Sequence, residues 1–243
     1  MLLVMGYSSL AIERTNSESV SYRVKTFAVA GKLLRIESYY PRAMHASPAI
    51  IMVHGSLGIR NCDSTRITPP DRDNFGEREF VEHGYAVAVV HYMDVSDSST
   101  ALSRAYEFEH AEQWLSVLSL SLSLVRHDPL VDPSHIYMFG ESLGGILALI
   151  SASQDSGVKA VAVYGADIPP TPLFVASRIP PVLTFSGEFD SILPRGSTRL
   201  CRLLTTNKSR CHAEILKGSG HYLSAKTQGY IVRRSALFFS TLR

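Results

Sequence analysis

The sequence predicts a doubly wound α/β domain, a mostly parallel eight-stranded sheet with helices on both faces. Three observations predict it. Short β-rich runs alternate with helical patterns along nearly the whole chain. Two of those runs, residues 49–53 (AIIMV) and 85–90 (YAVAVV), are almost wholly apolar, as strands buried on both faces are. A G-x-S-x-G turn also lies between a strand pattern and a helix pattern.

The elements follow in order. Residues 20–29 and 32–39 read as a hairpin with Gly31 in the turn. The buried strand 49–53 ends in His54-Gly55, and a helix over 74–83 closes on Gly84. After the strand at 85–90 comes a long helical pattern at 103–127. Inside it, 115–124 (LSVLSLSLSL) alternates with the period of a strand. Leu115, Leu118, Leu122 and Val125 also fall at helical spacing, and a parallel crossover is needed here, so the segment is read as helix. Strand 135–139, helix 143–153 and strand 158–164 come next, then an irregular Pro-rich stretch over 165–181. Strand 182–186, helix 195–205, strand 213–216 and helix 225–239 complete the chain. The expectation is one domain over residues 1–243, with 1–19 as an N-terminal extension.

Composition narrows the function. A 45% hydrophobic content excludes a disordered chain, and a formal charge of +2 is too near neutral for a nucleic-acid footprint. No apolar run reaches the roughly 18 residues that a membrane span needs. The apolar start lacks a preceding Lys or Arg, so no secretory leader is expected. Cys62, Cys201 and Cys211 fit no metal spacing and are read as three reduced thiols in a cytoplasmic protein, although Cys201 and Cys211 are near enough in sequence to meet.

The chemistry centres on Gly140-Glu141-Ser142-Leu143-Gly144. Small residues flank the serine because the turn is tight, and the turn lifts its hydroxyl to the N-terminus of a helix, where negative charge is favoured. A serine needs a base, and the base needs an orienting acid. Of the two downstream histidines, His221 lies in a Gly-Ser-Gly loop that can reach the serine, whereas His212 opens a strand. Asp190, just past strand 182–186, is the acid. Asp167 is the runner-up, Glu188 points elsewhere, and Asp155 lies beyond a helix, away from the site. The N–H groups of Leu143 and Ser56 are expected to form the oxyanion hole, and His54 is read as a structural hydrogen-bonding residue of the Ser56 loop.

With these residues assembled, the chain resembles the dienelactone hydrolase family of the α/β-hydrolase superfamily, from about residue 20 to the C-terminus. The likeness rests on the G-x-x-x-G-G elbow at 140–145, the G-x-x-D turn at 187–190 and the closing Gly220-His221. It implies an α/β-hydrolase fold of the compact kind, without a separate cap domain. Two departures stand out. Ser142 occupies the position where the namesakes carry cysteine, and Tyr222-Leu223-Ser224-Ala225 follows the histidine without the arginine that holds a substrate carboxylate. Dienelactone itself is therefore not the expected substrate.

The expected activity is hydrolysis of a small carboxylic ester or lactone by a serine enzyme needing no metal or organic cofactor. Acyl transfer or cyclisation through the same residues is the alternative, as is a non-catalytic binding protein of the same fold. The expected oligomeric state is monomer or homodimer. Loops 60–73 and 165–181 are expected to wall the pocket. Leu173, Phe174, Val175 and Ile179 either line it or pack their loop onto the domain. Glu141 is either a helper carboxylate or a structural residue, and Tyr92 and Met93 are read as core.

Overall fold

The computed structural model describes residues 15–16, 20–29, 31–42, 45–58, 76–96 and 103–242. It holds strands β1 (Thr15–Asn16), β2 (Val20–Val29), β3 (Lys32–Pro41), β4 (Ser47–Val53), β5 (Ala86–Val90), β6 (Val131–Glu141), β7 (Val158–Tyr164), β8 (Val182–Gly187) and β9 (Cys211–Leu216). The helices are α1 (Glu77–Glu82), α2 (Arg104–Arg126), α3 (Leu143–Gln154), α4 (Gly196–Thr206) and α5 (Ala225–Ser240). All eight expected strands are present, and the two-residue β1 extends one edge.

The strand order is β1-β2-β3-β5-β4-β6-β7-β8-β9. The first three strands are antiparallel, β3 joins β5 antiparallel, and β5 through β9 run parallel. The chain winds outward from β4 to β5, then crosses back to place β6 on β4's other side. Connections diverge at that switch point and leave a crevice at the carboxyl ends of β4 and β6, the place where doubly wound sheets bind ligands.

Period-two alternation along β4 sends Ala49, Ile51 and Val53 to one face and Ile50 and Met52 to the other. The first face packs on Trp114, Leu118 and Leu122 of α2, Leu147 of α3 and Leu200 of α4. The second packs on Phe80 of α1 and on Ile231, Val232 and Phe239 of α5. The ambiguous segment 115–124 is helical: Leu115, Leu118, Leu122 and Val125 are buried, while Ser116, Ser119 and Ser123 face solvent. Ser121 is buried and donates its hydroxyl to the Val117 carbonyl at 2.8 Å, so the helix satisfies it internally. The Ser103 hydroxyl accepts from the Tyr106 N–H at 3.3 Å and starts the helix. Gly84 closes α1 as expected, its N–H donating to Val81. Residues 74–75 of the expected first helix lie outside the described residues.

One expectation is corrected. Cys201 and Cys211 form a disulfide that ties α4 to the first residue of β9. The tight α4–β9 turn brings their Cα atoms to 5.2 Å, a normal bridging distance. Cys62 lies outside the described residues.

A buried polar cluster sits inside the antiparallel half. Glu37 of β3 accepts from the Tyr22 and Tyr39 hydroxyls at 3.1 and 3.0 Å and meets His91 Nε2 at 2.8 Å. Burial alone would raise the Glu37 carboxyl, but His91 and the two hydroxyls outweigh it and hold it below its ordinary value. A depressed carboxylate adds stability that is present above the ordinary carboxylate range and is lost as pH falls through the folded value.

Two outcomes are expected. Reducing the Cys201–Cys211 bond, whose partners are 10 residues apart, lowers unfolding free energy by about 3 kcal/mol on the loop-entropy relation, read by urea melts with and without reductant. Glu37→Gln strands His91 and lowers stability at neutral pH by about 3 kcal/mol, and the acid side of its stability profile is flatter than the parent's.

Candidate active site

The turn from β6 into α3 holds Ser142 at φ 51°, ψ −120°, a conformation that L side chains rarely adopt. Its N–H donates to the Tyr164 carbonyl at 2.8 Å, and its carbonyl accepts the Ile146 N–H at 3.1 Å, so the strained residue is clamped on both sides. Glycine is required nearby because three backbones converge. A Cβ on Gly144 would lie 2.2 Å from the Val53 and His54 carbonyl oxygens, and one on Gly140 would lie 2.6 Å from the Gly144 carbonyl.

The structure brings Ser142, His221 and Asp190 together. His221 Nε2 is 3.0 Å from Ser142 Oγ, and its Nδ1 is 2.8 Å from Asp190 Oδ2. The imidazole and the carboxylate are both buried. The other Asp190 oxygen accepts the N–H groups of Ile192 and Leu193 at 2.9 and 2.8 Å. Burial would raise the Asp190 carboxyl, but the Leu193 N–H, the His221 imidazole and the Ile192 N–H together hold it below its ordinary value. An anionic Asp190 facing Nδ1 requires the proton there, which leaves the Nε2 lone pair aimed at the serine hydroxyl. Such an array can raise serine nucleophilicity by accepting its proton.

The other sequence candidates fall elsewhere. Asp167 pairs with Arg199 and accepts the Ile168 N–H at 2.8 Å, without a bond to His221. Asp155 pairs with Arg126 at 3.1 Å, at the far end of α3. His212 is exposed and lies 3.5 Å from Glu214. Glu188 accepts the Gly218 N–H at 2.9 Å and so braces the loop that carries His221. Tyr164 was missed in the sequence: its hydroxyl donates to the Gly220 carbonyl, next to His221. A buried tyrosine closing a predicted strand was the available signal, but strand tyrosines ordinarily serve the core.

The loop after β4 turns at residues 55–58, with the Gly58 N–H donating to the Gly55 carbonyl at 3.1 Å. A Cβ on Gly55 would sit 3.5 Å from Ser142 Cβ, so this turn, which carries Ser56, lies against the serine. Leu143 is the first residue of α3, where backbone N–H groups have no partner within the helix. Tyr92 and Met93 are core residues, as read. Leu173 and Phe174 pack against the core and Ile179 is buried, so these residues hold loop 165–181 onto the domain. Loop 60–73 lies outside the described residues. Glu141, half-buried at the end of β6, lies near enough to the Tyr92 and Tyr164 hydroxyls for its charge to push both upward, after the larger effect of burial. Among the described residues, no group of three or more His, Cys, Asp or Glu side chains is placed to hold a metal ion, and no helix is long and apolar enough to cross a membrane.

Tyr164→Phe removes the tether on Gly220 and leaves that carbonyl without its donor. The expected result is a loss of about 1–2 kcal/mol in stability and a several-fold fall in kcat, measured by thermal melts and steady-state ester hydrolysis.

Known proteins share this architecture. A dienelactone hydrolase-like promiscuous phosphotriesterase from metagenomic libraries superimposes with a TM-score of 0.74 at 15% identity, over 92% of this chain and 99% of that one. A cold-adapted esterase from an Arctic intertidal metagenomic library gives 0.71 at 11% identity, over 97% and 99%. The glucuronoyl esterase of Solibacter usitatus gives 0.69 at 11%, over 98% and 86%. In sequence, the chain is 32% identical over 124 residues to the quorum-quenching protein AidA of Acinetobacter baumannii (strain MDR-ZJ06). That match spans 51% of this chain and 36% of the relative, about a third of the relative's length. The dienelactone hydrolase family itself matches across residues 36–236, from inside β3 into α5, a span that includes Ser142, Asp190 and His221. The chain belongs to the dienelactone hydrolase family.

Proposed function

We propose that the chain hydrolyses small carboxylic esters or lactones through an acyl-enzyme on Ser142. The observation that carries this reading is the unbroken line from Ser142 Oγ to His221 to Asp190, set at a strained strand-to-helix turn. His221 Nε2 takes the serine proton as Oγ attacks the carbonyl carbon. Asp190 keeps the proton on Nδ1 and stabilises the imidazolium that forms. The N–H groups of Ser56 and Leu143 receive the negative oxygen of the tetrahedral intermediate. His221 then gives its proton to the leaving alcohol, and in the second half-reaction it draws a proton from water, which releases the acid and restores the serine. No residue outside the chain is called upon.

The absence of an arginine after His221 and the pairing of Arg199 with Asp167 support an uncharged substrate. The relative named for quorum quenching is a reason to put lactones beside simple esters in the substrate panel. A cytoplasmic location was expected from reduced thiols. The Cys201–Cys211 bond removes that ground, since such bonds persist mainly in oxidising compartments.

A fluorophosphonate probe should label the parent protein at Ser142 and leave Ser142→Ala unlabelled. Ser142→Ala should lower kcat by about 10⁴-fold or more, and Asp190→Asn by about 10⁴-fold through loss of the correct tautomer. Labelling that persists in Ser142→Ala, or turnover at the parent rate in that variant, overturns the assignment. A panel of aryl esters of graded length and of lactones reads the substrate class, and a preference for long acyl chains contradicts a small substrate.

A further inference from the structure

His54 is a buried titratable group that the mechanism above leaves idle. Only 3% of it is exposed, and its ring lies face to face with Tyr92, centroids 4.3 Å apart and planes 18° apart. Its Nδ1 lies 2.9 Å from the carbonyl oxygen of the next residue, Gly55. A carbonyl can only accept, so Nδ1 carries the proton and donates. Burial drives the imidazole down to about 3, so His54 is neutral throughout the neutral pH range and holds one tautomer.

The Gly55 carbonyl belongs to the same planar peptide as the Ser56 N–H. In a trans peptide the two bonds point in opposite directions, so a bond that fixes the carbonyl also aims the N–H. The carbonyl receives two donors, His54 Nδ1 and the Gly58 N–H at 3.1 Å. Each withdraws charge from the oxygen and strengthens the N–H on the other side of the plane as a donor. The preceding peptide is held too. The Tyr92 hydroxyl donates to the His54 carbonyl at 3.0 Å, and the same carbonyl packs on Gly144 of the elbow.

We propose that His54 is a positioning residue for the oxyanion hole, its Nδ1–H orienting and polarising the Gly55–Ser56 peptide so that the Ser56 N–H meets the tetrahedral oxygen. Tyr92 supports it by stacking on the ring and anchoring the peptide before. This inference rests on the proposed serine mechanism and assigns His54 no proton transfer.

Two substitutions separate the donor from bulk. In His54→Asn the amide nitrogen can take nearly the place of Nδ1, while in His54→Gln the amide lies further out, near the place of Nε2. The expected result is that His54→Gln lowers kcat by about 10- to 100-fold with KM little changed, since a hole donor acts mainly in the transition state. Binding of phenylboronic acid, which forms a tetrahedral adduct on the serine, should weaken in parallel. His54→Asn should keep both within about fivefold of the parent, with an unaltered pH profile, because a neutral donor has replaced a neutral donor. If His54→Gln does not fold, His54→Leu serves in its place.

Parent-like kcat and boronate affinity in His54→Gln overturn the inference while Ser142 labelling stands. Equal loss in the folded Asn and Gln variants, or a shifted pH profile in His54→Asn, overturns the Nδ1 role. Parent-like turnover in Ser142→Ala overturns the serine mechanism and this inference with it.

Discussion

The contact between the β6–α3 turn and the end of β4 is the constraint on which the candidate site depends. Ser142 keeps its positive φ because its N–H and its carbonyl are both bonded. The turn in turn fits only because Gly144 lets two carbonyls of β4 and its loop approach to within the space of a methyl group. One close approach thus positions the serine, the helix end behind it and the Ser56 loop beside it. A side chain at Gly144 would push the start of α3 away from the end of β4, at the switch point where the diverging connections leave the crevice.

The second half of the sheet positions the base and the acid by a different route. Asp190 follows β8 and His221 follows β9, and these neighbouring strands pair from Val182 to Gly187 with Cys211 to Leu216. Backbone bonds knit their two exit loops together: the Glu188 N–H donates to Leu216 at 3.0 Å and the Phe189 N–H to Ser219 at 2.9 Å. Tyr164, from β7, reaches the Gly220 carbonyl and joins this pair of loops to the strand that also bonds Ser142. The disulfide fastens α4 to β9 behind the loops, where it stiffens the frame without touching the site.

Much of this was legible in the chain. An apolar run as short as AIIMV, closed by His54-Gly55, reads as a strand buried on both faces, and each strand's period sorts its side chains between two helix layers. Where local pattern was ambiguous, at LSVLSLSLSL, the need for a parallel crossover decided for helix, and burial on the spacing of Leu115, Leu118 and Leu122 agrees with it. The strand at 135–139 was read too short: β6 begins at Val131, because Pro133 and the exposed Ser134 hide its start, and its register on β4 shifts there. The two cysteines were read as thiols because spacing gives proximity along the chain and not in space, whereas the turn after α4 sets their Cα separation.

By itself the sequence determined the order of elements, the elbow and the loops from which Ser142, Asp190 and His221 project, since these follow from local periodicity and from the residues a tight turn tolerates. The tertiary structure alone decided which groups meet. Asp190 rather than Asp167 faces His221, because two backbone N–H groups hold its carboxylate while Arg199 takes the other. Tyr164, Glu188 and His54 acquire their places only when strands distant in sequence lie side by side, because hydrogen bonds are made over about 3 Å of space and the chain records no such distance.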